Sequence, residues 1–126
     1  MGRRKILYIE DNLDNMILVK RVLEVEGYEV IEAKTGKDGL VKAQENLPDI
    51  VITDINLPDI DGYEVTENLK RGSRTAHIPV IAMTANVMKK DRENVIDAGC
   101  DGYISKPIDI DDLPGQIENF LKGKVQ

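Results

Sequence analysis

Five short apolar runs punctuate the chain: Ile6-Leu7-Tyr8-Ile9, Tyr28 to Ala33, Ile50-Val51-Ile52-Thr53, Ile78 to Met83 and Tyr103-Ile104. They are apolar nearly throughout instead of alternating, which is the pattern of strands covered by helices on both faces of a parallel sheet. Between them apolar residues return at helical spacing. Leu13, Met16, Val19, Val22 and Leu23 fall within one half of a helical wheel, and Leu40, Ala43 and Leu47 repeat that logic. Leu113, Ile117, Phe120 and Leu121 form an i, i+4, i+7, i+8 stripe. Thr35 and Asp112 stand where N-caps belong, Pro114 suits a first turn, and Gly27 and Gly99 occupy the places of left-handed residues after helices. The segment from Val87 to Ala98 is the poorest helix, with only Val87, Met88, Val95 and Ala98 to bury. It is expected to be weakly anchored and the readiest to move.

Strand and helix alternate, so the expected class is α/β, a doubly wound (βα)5 open sheet of five parallel strands. No linker, repeat or low-complexity tract interrupts it, and one domain over residues 1–126 is expected.

Composition narrows the function classes. The chain has 126 residues, with 23 acidic against 17 basic side chains and a net charge of −6. No apolar run approaches the ~20 residues of a membrane span, and Ile6 to Ile9 is too short for a signal-peptide core. A cytoplasmic protein without membrane contact is expected. The acid excess argues against direct nucleic-acid binding, because only Arg3-Arg4-Lys5 cluster. Cys100 is the single cysteine and cannot form an internal disulfide.

In open α/β sheets ligands bind beyond the carboxyl ends of the strands. Those ends carry Glu10-Asp11 after the first run, Asp54 after the third, Thr84 after the fourth and Ser105-Lys106-Pro107 after the fifth. Singly, each has an ordinary structural reading: a solvated turn, an Asx-turn, a helix cap, an exposed loop lysine. Their conjunction on one sheet edge is what points to chemistry. Three nearby carboxylates repel one another unless a cation sits among them, and hard oxygen donors without His or Cys favour Mg²⁺. A magnesium ion, the Lys106 ammonium and the Thr84 hydroxyl together suit three phosphoryl oxygens, with Asp54, ending the central strand, as candidate nucleophile.

Glu10-Asp11, the stretch Asp54-Ile-Asn-Leu-Pro-Asp-Ile-Asp-Gly62, Met83-Thr84-Ala85 and Lys106-Pro107 resemble the receiver domain of two-component response regulators, the CheY-like family. Through Glu10-Asp11-Asn12, His77-Ile-Pro-Val and Gly99-Cys100 the chain is similar to stand-alone DivK-type receivers. The resemblance implies a flavodoxin-like strand order of 2-1-3-4-5. It implies Asp54 as phosphoacceptor from a histidine kinase or histidine phosphotransfer protein. Asp11, Asp54 and the Asn56 backbone carbonyl would bind Mg²⁺, with Glu10 acting through water. Thr84 and Lys106 would hold phosphoryl oxygens, the Lys106–Pro107 bond would be cis, and Asn56 and Asn86 would flank the pocket. Thr84 and Tyr103 would form the switch, altering a face of the fourth helix, fifth strand and fifth helix for a downstream protein target. The implied protein is a monomer or weak dimer with no output domain, and its only enzymatic activity is its own phosphorylation and dephosphorylation.

Other classes share parts of the pattern. A haloacid-dehalogenase-like phosphohydrolase also uses an aspartyl nucleophile, but it places Asp-x-Asp after its first strand. A flavodoxin-like FMN binder would meet repulsion from Glu10-Asp11. A receiver excised from a hybrid histidine kinase would share every motif. His77, Cys100, the Asp59/Asp61 pair and Asp109-Asp111-Asp112 read as loop or cap residues, and Gly62 as a tight helix start.

Overall fold

The computed structural model describes residues 3–85 and 89–122. The strands are β1 (Lys5–Ile9), β2 (Glu29–Ala33), β3 (Ile50–Asp54), β4 (Val80–Thr84) and β5 (Gly102–Ser105). The helices alternating with them are α1 (Leu13–Val25), α2 (Gly36–Asn46), α3 (Gly62–Arg71), α4 (Lys89–Asp97) and α5 (Leu113–Leu121). All strand pairs are parallel, in the order β2-β1-β3-β4-β5.

Side chains alternate across each strand, so one continuous apolar run feeds two cores. Ile6 and Tyr8 join Ile50, Ile52, Ile81 and Met83 under Met16, Val19 and Leu23 of α1 and Leu113 and Ile117 of α5. Leu7, Ile9, Val51 and Val80 pack on the opposite face against Ala43 of α2 and Val65 and Leu69 of α3. A smaller cluster of Ile55, Ala82 and Val95 lies under α4, with Tyr63, Cys100 and Tyr103 against it. Each aliphatic side chain buried in these layers is worth roughly 1.5–3 kcal/mol relative to exposure. The interior strands β3 and β4 are buried at every residue, whereas edge strand β5 buries only Ile104.

Helix ends follow the expected chemistry in most places. Asn12, Thr35 and Asp61 cap α1, α2 and α3 by accepting the N–H of the third residue onward. Gly27 and Gly99 have φ of 98° and 95°, conformations that a Cβ would strain. Three expectations fail. Asp112 makes no capping bond, because its own backbone is already helical at φ −92° and ψ −23°, in a turn that begins at Asp109, and Pro114 offers no N–H to accept. Leu13 is 61% exposed, since its place in the first turn of α1 carries it beyond the sheet. Leu47 is also exposed, as the left-handed C-cap of α2 with φ 46°. Val87 and Met88, expected in the fourth helix, lie outside the described residues.

Candidate functional site

The parallel register brings the strand ends level. Ile9 partners Thr53, Asp54 partners Met83, and Thr84 partners Ser105. Chain ends that leave a buried sheet at the same edge must turn there, and their polar residues collect at that edge. Glu10, Asp11 and Asp54 each offer a carboxylate oxygen, all within 4.8 Å of one another. Glu10 and Asp54 are buried and Asp11 is exposed.

Lys106 reaches this cluster from beyond β5. Its Nζ lies 3.2 Å from Asp54 Oδ1 and 3.3 Å from Glu10 Oε1. The Lys106–Pro107 peptide bond is cis, and the Lys106 N–H donates to the Thr84 carbonyl at 2.8 Å. Burial, and then the Glu10 charge, push the Asp54 carboxyl above the ordinary aspartate range, while Lys106 pulls the other way. One lysine therefore does not balance the acidic cluster, and a hard divalent cation suits a pocket of carboxylate oxygens with excess negative charge.

The neighbouring backbone is held firmly. Gly62 opens α3 against the end of β3: a Cβ there would stand 2.5 Å from the Asp54 carbonyl oxygen, so only glycine allows this approach. The Gly62 N–H donates to the Ile55 carbonyl, and Thr66 Oγ1 donates back to the Gly62 carbonyl. Asp59, farther along the same loop, accepts the Gly36 and Lys37 N–H groups at 2.8 Å and so caps α2 from across the molecule. Partial desolvation raises its carboxyl, but N–H bonds from Lys37, Gly36, Ile60 and its own backbone win and hold it at about 2.

Not every candidate residue joins the acidic cluster. Thr84 is buried at the adjoining strand end. Asn56 is exposed on the loop after Asp54, and Asn86 falls outside the described residues. Tyr103 sits half-buried toward α4 with Ile55, Ala82 and Val95, on the far side of β5 from Ile104. Cys100 packs beside Thr66, with burial raising its thiol pKa, and His77 is an exposed loop residue. Sequence reasoning missed Tyr8, whose hydroxyl donates to Glu10 Oε1 at 2.9 Å. The available signal was a hydroxyl inside an apolar run, two residues before a carboxylate and so on the same face.

A match to the response regulator receiver domain spans residues 6–118. The chain belongs to the response regulator receiver family. The receiver is 42% identical to the polar-differentiation response regulator DivK of Brucella ovis, over 94% of this chain and 96% of that protein. Its fold superposes with a TM-score of 0.89 on the chemotaxis response regulator CheY4 of Vibrio cholerae, at 25% identity over 94% of this chain and 98% of that one. The same score relates it to the receiver domain of a sensor histidine kinase from Pseudomonas aeruginosa, at 30% identity over 96% and 99% of the two chains. That domain holds a magnesium ion in its active-site cleft. The receiver is thus a phosphoacceptor module of two-component signalling with the CheY-like order of strands. Among its described residues no helix is long and apolar enough to cross a membrane.

Proposed function

We propose that Asp54 accepts a phosphoryl group from the phosphohistidine of a histidine kinase or phosphotransfer protein, and that the modified receiver then changes its hold on a downstream protein. The observation that carries this reading is the Lys106 ammonium 3.2 Å from a buried carboxylate at the end of the central strand, beside two further carboxylates. An Asp54 carboxylate oxygen attacks phosphorus, the phosphorus–nitrogen bond breaks, and its electron pair leaves with the imidazole, which is then protonated. Lys106 is placed to pair with a phosphoryl oxygen and to oppose the Glu10 charge, and the Thr84 hydroxyl is assigned to a second oxygen.

Asp11, Asp54 and the Asn56 carbonyl are assigned to Mg²⁺, with Glu10 holding it through water. When bound, the ion supplies positive charge against the carboxylates and the incoming phosphoryl oxygens. A new acyl phosphate adds negative charge and acceptor oxygens, which draw Thr84 and Lys106 inward. Space released beside Thr84 admits Tyr103, and the α4, β5 and α5 face changes for its target. Both arrangements pre-exist, and phosphorylation shifts their populations. The receiver is assigned no enzymatic activity beyond its own phosphorylation and dephosphorylation.

Incubation with Mg²⁺ and acetyl phosphate should add the mass of one phosphoryl group. The Asp54→Asn variant should gain none. A variant still labelled as the wild type is would remove Asp54 from this role, and steady turnover of phosphate esters would favour a phosphohydrolase instead. The likeness to the receiver of a sensor kinase supports a second setting for the same chemistry, a receiver working within a hybrid kinase.

A further inference from the structure

Tyr8 is fully buried in β1, where its neighbours Ile6, Leu7 and Ile9 are aliphatic. A tyrosine there brings a hydroxyl that must find a partner. It donates to Glu10 Oε1 at 2.9 Å and touches Met83 Sδ at 3.6 Å. We propose that Tyr8 is a positioning residue, its buried hydroxyl holding the Glu10 carboxylate in the orientation that serves a divalent cation in the acidic cluster.

The acceptor inventory of Glu10 supports this role. A carboxylate has about four acceptor sites, two on each oxygen. Oε1 receives both Tyr8 and the Lys106 ammonium, at 2.9 and 3.3 Å. Oε2 receives the Asn12 N–H at 3.2 Å. Glu10 is 1% exposed, so bulk water cannot replace a lost partner. Without the hydroxyl, Oε1 keeps only the Lys106 ammonium of these two donors, and the carboxylate loses the partner that fixes it from the strand side.

This inference rests on the reading of Glu10 as the residue that holds Mg²⁺ through water. Calorimetric Mg²⁺ titration of the wild type, Tyr8→Phe, Tyr8→Leu and Glu10→Ala tests it, with folding checked by melting in chelator. Tyr8→Phe should weaken Mg²⁺ binding about tenfold, the scale on which partners of metal-holding groups act. Tyr8→Leu should weaken it equally while melting lower, since it also loses packing. In the Glu10→Ala background Tyr8→Phe should change nothing. A metal-free readout is the resonance Raman tyrosine doublet: the wild-type minus Tyr8→Phe difference should show a strong-donor phenol, and Glu10→Ala should abolish that signature. Unchanged or tighter binding by Tyr8→Phe, or the same weakening without Glu10, overturns the proposal. A wild type that does not bind Mg²⁺ would overturn the cation reading itself, and the proposal with it.

Discussion

The two halves of the sheet edge are built differently. On one side, β1, β3 and α3 are fixed by fully buried strand residues, by the Asp61 cap, by Gly62 against the Asp54 carbonyl and by Asp59 bonded across to α2. On the other, α4 spans nine residues, and among those described only Val95 and Ala98 are buried at its end, with Ile96 70% exposed. Strand β5 beside it has four residues, three of them not buried. Reacting groups must be held to fractions of an ångström, while a surface that changes its partner must have two arrangements close in free energy. The firm side carries Asp11 and Asp54, and the loosely packed side carries Tyr103. Lys106 and Thr84 stand between them.

The largest break in this contrast should come from Lys106→Ala, which is expected to fold, checked by thermal melting, but removes the cation joining the two sides. Phosphorylation of this variant should no longer alter partner affinity, measured by calorimetry against a cognate target. An unchanged response would place the coupling elsewhere. Next in size are truncations of the two cores. Ile52→Ala in the central strand should cost about 2–5 kcal/mol in urea unfolding and loosen the whole molecule. Val95→Ala should cost less, about 1–2 kcal/mol, and raise amide exchange chiefly in α4. Equal and global effects would show that α4 is no looser than the rest.

Gly62→Ala sharpens the comparison from the firm side. Its new methyl would press on the Asp54 carbonyl, costing about 1–3 kcal/mol and slowing phosphoryl uptake. The smallest effect is expected at Asp59. Asp59→Ala should lose about 1 kcal/mol, the usual worth of a cap. Its folded-state pKa lies below the unfolded value, so the stabilisation is present above the ordinary 3.8 and is lost as pH falls through about 2. The gap in urea midpoint between wild type and Asp59→Ala should therefore close as the pH falls through that window. A gap that widened in acid would contradict the cap.

The strand ends were legible because doubly covered parallel strands are nearly solid apolar runs, and the first polar residue after each marks the edge. Glu10, Asp11, Asp54, Thr84 and Lys106 were all reached this way. Caps were legible where one side chain serves its own helix, as at Thr35. Asp59 and Asp109 were legible as loop or cap residues but not by the groups they bond, since Asp59 reaches across the fold to α2 and Asp109 takes the N–H groups of Asp111 and Asp112 before α5. Leu13 misled because helical spacing records direction around the axis but not distance beyond the sheet's end. The Tyr8–Glu10 bond was hidden by a ring that is a sound core residue in its own right.

Peptide-resolved hydrogen exchange, with and without acetyl phosphate and Mg²⁺, in the wild type and in Asp54→Asn, tests the central claim most directly. The prediction is a change confined to β4, α4, β5 and α5 that appears only when Asp54 is present, with β1, β3 and α3 unmoved. The same change in Asp54→Asn, or one centred on β1 and β3, would contradict a phosphoacceptor on the firm side read out through the loose one.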